Sequence, residues 1–182
     1  MNFPLIRIKY SRFLDLNFSD FEKVETFNNE WKKCEVRLLS AICEILQLEF
    51  KQNTIDVYIS SGLRSFSDPM VISHKFSPEE FPDILLHELL HRLISDNTKD
   101  TWKKFGKEWD AKTPGEERLV LNHILVHAVS QHVYLDVLND PVRLDRDIAN
   151  CQKNPPYARS WEIVKEKGYK NIIKEFIELT KK

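Results

Sequence analysis

The sequence predicts an α+β domain, with a small mixed sheet packed on helices and a helix-rich C-terminal part. Three observations lead there. Short β-branched runs sit in the first half of the chain, long stretches repeat apolar residues at three- and four-residue steps, and only four of 182 residues are glycine, too few for a many-stranded barrel. With 42% hydrophobic and 30% charged residues the chain has the make-up of one ordinary globular domain, expected to run over 1–182. Within it, residues 1–96 are expected to carry the sheet, a long helix and a second helix, and residues 97–182 a helical remainder.

The elements follow in order. Leu5-Ile6-Arg7-Ile8-Lys9-Tyr10 alternates as a strand. From Ser19 onward Phe21, Val24, Phe27, Trp31, Cys34, Leu38, Ile42, Ile45 and Leu48 recur at helical spacing, which predicts one long helix with a core-facing stripe. Ile55–Ile59 reads as a strand, Ser60–Pro69 as a polar loop, and Met70–Ser73 as a returning strand. Ser77-Pro78-Glu79-Glu80 then marks a helix start, with a serine cap, proline at the first helical position and glutamate three residues after the cap. Phe81, Ile84, Leu85, Leu89 and Leu93 form the apolar stripe of that helix, and Pro82 falls early enough in it to be tolerated. Asn97–Gly115 holds Trp102, Phe105 and Trp109 at the spacing of a short amphipathic helix, whose aromatics serve a core or, alternatively, a substrate cleft. Glu116–Leu138 continues as helix, Asp140-Pro141 opens another to about Asn154, Pro155-Pro156 ends it, and Tyr157–Lys182 is helical with a break near Gly168.

Composition also narrows the partners. A net charge of −1 supplies no general attraction to nucleic acid or anionic lipid. No apolar run approaches the roughly 20 residues that span a bilayer, and Met1-Asn2-Phe3-Pro4 resembles no secretory leader, so the expected compartment is cytoplasmic, and the chain is expected to be a monomer or to associate weakly. Cys34, Cys43 and Cys151 are too few and too widely spaced for a disulfide framework or a zinc knuckle, and read as reduced, buried thiols.

The chemistry concentrates in His87-Glu88-Leu89-Leu90-His91. Residues four apart lie one above the other on a helix, so both imidazoles can reach one metal ion, while Glu88 beside them is placed to take a proton from metal-bound water. A random arrangement of this composition yields the pattern in roughly 2% of chains, so the independently marked helix start carries much of the weight. A catalytic zinc takes three protein ligands, which calls for one more residue. The metzincin continuation is excluded, because Ile94 and Asn97 stand where its glycine and histidine would be. His123 and His127, four apart on an otherwise apolar helix, are the candidates for the third ligand, one ligating and the other orienting a ligand or binding substrate. Glu116 and Glu117 are rivals, though first-turn acids commonly offset the helix dipole. His74 and His132 read as surface histidines, and Tyr134 as a buried tyrosine or, alternatively, an oxyanion donor.

On these residues the chain resembles the zincin metallopeptidases. The resemblance is specific over His87–His91, and over about residues 50–138 it is one of size and helix order, similar to small gluzincin-like forms. It implies a zincin-like fold, one catalytic zinc ion, hydrolysis of peptide bonds with Glu88 as general base, and a peptide or protein substrate. It further implies a strand before the motif helix that pairs with extended substrate, Met70–Ser73 or Ile55–Ile59. The departure is the third ligand: no N-E-x-x-[AS] stretch appears, and Asn122-His123 occupies the comparable position. A degenerate zincin that binds metal or a partner without turnover is the alternative, against which the intact Glu88 argues.

Overall fold

The structure is a computed structural model and describes residues 3–10, 21–97 and 99–181, apart from the side chains of residues 21, 99, 101 and 102. The expected helix start at Ser19 and the side chains of Phe21 and Trp102 lie outside this part. Among the described residues the chain forms a four-stranded mixed sheet and eight α-helices, the α+β class expected. They fall into two compact units, one within Met1–Ser40 and Glu49–Asp96, the other within Ala41–Leu48 and Asn97–Lys182.

The first unit holds the strands β1 (Leu5–Tyr10), β2 (Thr54–Ser60), β3 (Phe66–Ser67) and β4 (Met70–Ser73), in the order β1-β2-β4-β3. β2 is parallel to β1 and to β4, and β3 runs antiparallel to β4. Alternation does its expected work in β2, where Ile55, Val57 and Ile59 are buried. On the opposite parity Asp56 faces Arg7 in register and is held by Arg7 at 2.6 Å and Lys9 at 3.0 Å. The Arg7 hydrogen bond, more than any other contact, keeps the Asp56 carboxyl below its usual range.

The helices of this unit are α1 (Phe21–Lys32), the start of α2 (Glu35–Leu46) and α3 (Phe81–Asn97). The single long helix expected from Ser19 to Leu48 is therefore two helices, divided by a turn at Lys33-Cys34. In that turn the Cys34 N–H donates to Trp31 O at 3.0 Å and Leu38 N–H to Cys34 O at 2.9 Å. The turn leaves the apolar spacing in phase, so periodicity runs through it unbroken. Phe27 of α1 stacks on Phe81 of α3 with centroids 4.3 Å apart.

In the second unit the helices are α4 (Lys99–Lys112), α5 (Arg118–His132), α6 (Pro141–Cys151), α7 (Pro155–Lys167) and α8 (Tyr169–Thr180), with a π-helical turn over Val133–Val137 after α5. α5 is the middle of this unit, packed by α4, α7 and α8. Its residues Ile124 to Val129 are all buried, as the apolar run around the two histidines requires. Phe105 meets Phe176 edge to face at 5.5 Å, and Lys112 pairs with Glu175 at 2.7 Å, so α4 lies on α8. The aromatics expected to choose between core and cleft are thus core at Phe105 and Trp109. Asp140 caps α6 by accepting from Arg143 N–H at 3.0 Å, and Gly168, at φ 82°, makes the left-handed break between α7 and α8. No described helix is long and apolar enough to cross a membrane.

Candidate metal centre

The motif helix begins as its sequence says. Ser77 Oγ accepts from Glu80 N–H at 3.3 Å and the Glu80 carboxylate accepts from Ser77 N–H at 2.9 Å, a reciprocal capping box just ahead of α3. Phe81, Leu85, Leu89 and Leu93 are fully buried, which fixes the rotation of α3. Farther along α3, Arg92 reaches Asp96 at 3.1 Å, Asp68 at 2.6 Å and Ser67 O at 3.3 Å, tying the helix to the turn between β3 and β4. The helix that carries the motif is therefore held at its start, along one face and near its end.

That rotation brings His87 and His91 together. Their Nε2 atoms are 3.2 Å apart, close to the edge of about 3.4 Å between two nitrogens of a tetrahedral zinc site. Both rings are half-buried. The ligand atoms of His87, His91 and His123 all lie within 4.8 Å of one another. Three histidines are thus close enough to bind one metal ion.

The orientation of His123 suits a ligand. Its Nδ1 lies 2.7 Å from Leu119 O, and a carbonyl can only accept, so Nδ1 carries the proton and Nε2 keeps the lone pair. Burial lowers the His123 pKa, a neutral imidazole being the form a metal needs, although the Leu119 bond works in the opposite direction. Glu88 is only 8% exposed. Its burial pushes the carboxyl up to about 8, with Arg64 pulling the other way.

No protein-family model matches the chain, and comparisons with curated proteins and with solved structures find no match.

Of the two histidines offered for the third position, the structure groups His123 with the motif and leaves His127 outside that group. His127 is fully buried and lies flat on Trp161, centroids 4.5 Å apart and planes within 6°. Glu116 is paired with Arg159 at 2.7 Å, Glu117 is the exposed residue preceding α5, and neither joins the histidines. His74 lies in a turn where its N–H donates to Ser60 O at 2.9 Å. His132, expected at the surface, is half-buried at the end of α5, 3.6 Å from Asp136. Tyr134 is fully buried and its hydroxyl donates to Asp147 at 3.1 Å, the buried-tyrosine reading rather than the oxyanion one.

The strands expected to pair with extended substrate are both interior. Ile55–Ile59 lies in β2, flanked by β1 and β4, and Met70–Ser73 is β4 itself, flanked by β2 and β3. Beyond the short β3 pairing, Ser73 N–H is taken by Ser65 Oγ at 3.1 Å. The edges of this sheet are β1 and β3, a fact of strand order that local pattern does not carry. The ring of Tyr157 lies 4.2 Å from that of His123, whereas the sequence shows Tyr157 only as the start of a helical stretch after Pro155-Pro156.

Proposed function

We propose that the chain is a zinc-dependent metallopeptidase in which His87, His91 and His123 hold the ion and Glu88 is the general base. The observation that carries this reading is the 3.2 Å pair of Nε2 atoms with a third, backbone-oriented histidine in reach. Three imidazoles are a donor set suited to zinc and unsuited to calcium or magnesium, which take oxygen ligands. The chemistry such an ion would supply when bound is a more acidic water and a polarised carbonyl. The rest falls to the chain. Glu88 accepts the proton of the attacking water on its carboxylate and returns it to the leaving amine. Leu89 and Leu90, both fully buried, hold the helical turn that carries Glu88.

The test is hydrolysis of a mixed peptide library by zinc-loaded protein, with Glu88→Gln as the comparison. The expected result is turnover lost by a factor of about 10²–10⁴ in the variant, with zinc still bound. A variant as active as the parent would refute the role of Glu88. Zinc-loaded parent that cleaves nothing in the library would refute the peptidase reading and leave a metal-binding protein.

A further inference from the structure

Two pairs of rings meet where α7 lies on α5. Tyr157 covers His123 with centroids 4.2 Å apart and planes at 34°, and stands edge-on to His127 at 6.1 Å. One turn later Trp161 stacks on His127. His123 and His127 are four residues apart on one helix and Tyr157 and Trp161 four apart on the other, so each helix presents a ladder of two rings to its neighbour. The Arg159–Glu116 ion pair at 2.7 Å ties α7 to the segment just ahead of α5 independently of the rings.

An imidazole has two soft torsions. The bond from Nδ1–H to Leu119 O, at 2.7 Å, restrains one nitrogen but leaves the ring plane able to tilt about it. A flat aromatic face at 4.2 Å blocks that tilt on one side. His127, with its centroid 5.5 Å away and itself pinned flat on Trp161, limits the ring on another.

We infer that Tyr157 is a positioning residue for His123, its ring face holding the imidazole plane so that Nε2 keeps the bearing a metal ligand needs. The role rests on the metal-site reading for its purpose, but its physical content can be read in metal-free protein. What matters is the flat ring, so Tyr157→Phe preserves the effect, while Tyr157→Leu and Tyr157→Met keep apolar bulk and remove the face. Arg159→Ala separates the ring from the docking of α7, because it breaks the Glu116 pair and leaves Tyr157 in place.

The experiment has two arms on the full chain, with circular dichroism confirming the fold of each variant. In chelator-treated protein, nitrogen NMR of His123 reads the Nδ1–H tautomer and its protection from exchange. In the second arm, competition with a chromophoric chelator gives the Zn²⁺ dissociation constant. The expected result is an intact Nδ1–H signal in the parent, Tyr157→Phe and Arg159→Ala, and its loss or rapid exchange in Tyr157→Leu or Tyr157→Met. Those last two should also bind Zn²⁺ about 10–100-fold more weakly, the range for losing a group that orients a ligand. An unchanged Nδ1–H signal in whichever of the Leu and Met variants folds would overturn the inference, and so would an equal loss in Arg159→Ala. A parent that binds no Zn²⁺ while the NMR arm behaves as expected sinks the metal reading and upholds the orienting role of Tyr157.

Discussion

In metal-free protein, replacing Glu88 by glutamine should stabilise the fold, and by more as the pH rises. Burial lifts the Glu88 carboxyl from 4.5 to about 8, Arg64 opposing only in part. A group whose folded pKa lies above its unfolded one binds its proton more tightly when folded. Its contribution is fully present below pH 4.5 and is lost as pH climbs, the loss being complete above about pH 8. A gap of about 3.5 pH units, at about 1.4 kcal/mol each, sets the full penalty at about 5 kcal/mol. The same relation gives about 1 kcal/mol at pH 5 and about 3 kcal/mol at pH 7. Glutamine keeps the shape and carries no charge to bury, so the stability difference between variant and parent follows this curve, reduced by whatever the amide loses in unmet hydrogen bonds. For a chain of this size each kcal/mol moves the melting temperature by about 2–4 °C. Melts of chelator-treated parent and variant from pH 5 to 9 should therefore diverge from a few degrees to on the order of 10 °C. A gap that stays constant across that range would refute the buried, high-pKa carboxyl.

Other outcomes follow from single contacts. Ser77→Ala removes one half of the capping box ahead of α3 and should cost about 1 kcal/mol in urea denaturation. Tyr134→Phe removes the hydroxyl bonded to Asp147 and should cost about 1 kcal/mol in stability while leaving peptide hydrolysis unchanged; a large drop in turnover would revive an oxyanion role. Cys151 is buried, with its thiol pushed up to about 12 by burial and by Asp147, so a thiol reagent at neutral pH should leave it unmodified until the protein is denatured. The half-buried Cys34 should react first, as mass spectrometry of the labelled protein can show.

What the sequence shows of this fold is what local chemistry encodes. The strands at Leu5–Tyr10, 55–59 and Met70–Ser73, the cap at Ser77, the start at Pro141 and the break at Gly168 each rest on residues within a few positions of one another. The division of the first long helix at Lys33-Cys34 escapes because no glycine or proline marks it and the apolar phase survives the turn. The order of strands escapes because it is set by partners far along the chain, and with it goes the expectation that β2 or β4 offers an edge. At the site, helical spacing puts His87 and His91 on one face without further help. The same rule cannot separate His123 from His127, which occupy one face a turn apart. Their different surroundings come from a remote helix, Tyr157 beside one and Trp161 flat on the other.

Which of those two histidines completes the centre is decided by the zinc stoichiometry of purified protein. His123→Ala and His127→Ala are to be loaded with Zn²⁺, passed through a desalting column and analysed by inductively coupled plasma mass spectrometry alongside the parent. The prediction is close to one zinc per chain in the parent and in His127→Ala, provided the latter folds by circular dichroism, and little or none in His123→Ala. Zinc retained by His123→Ala and lost from folded His127→Ala would contradict it.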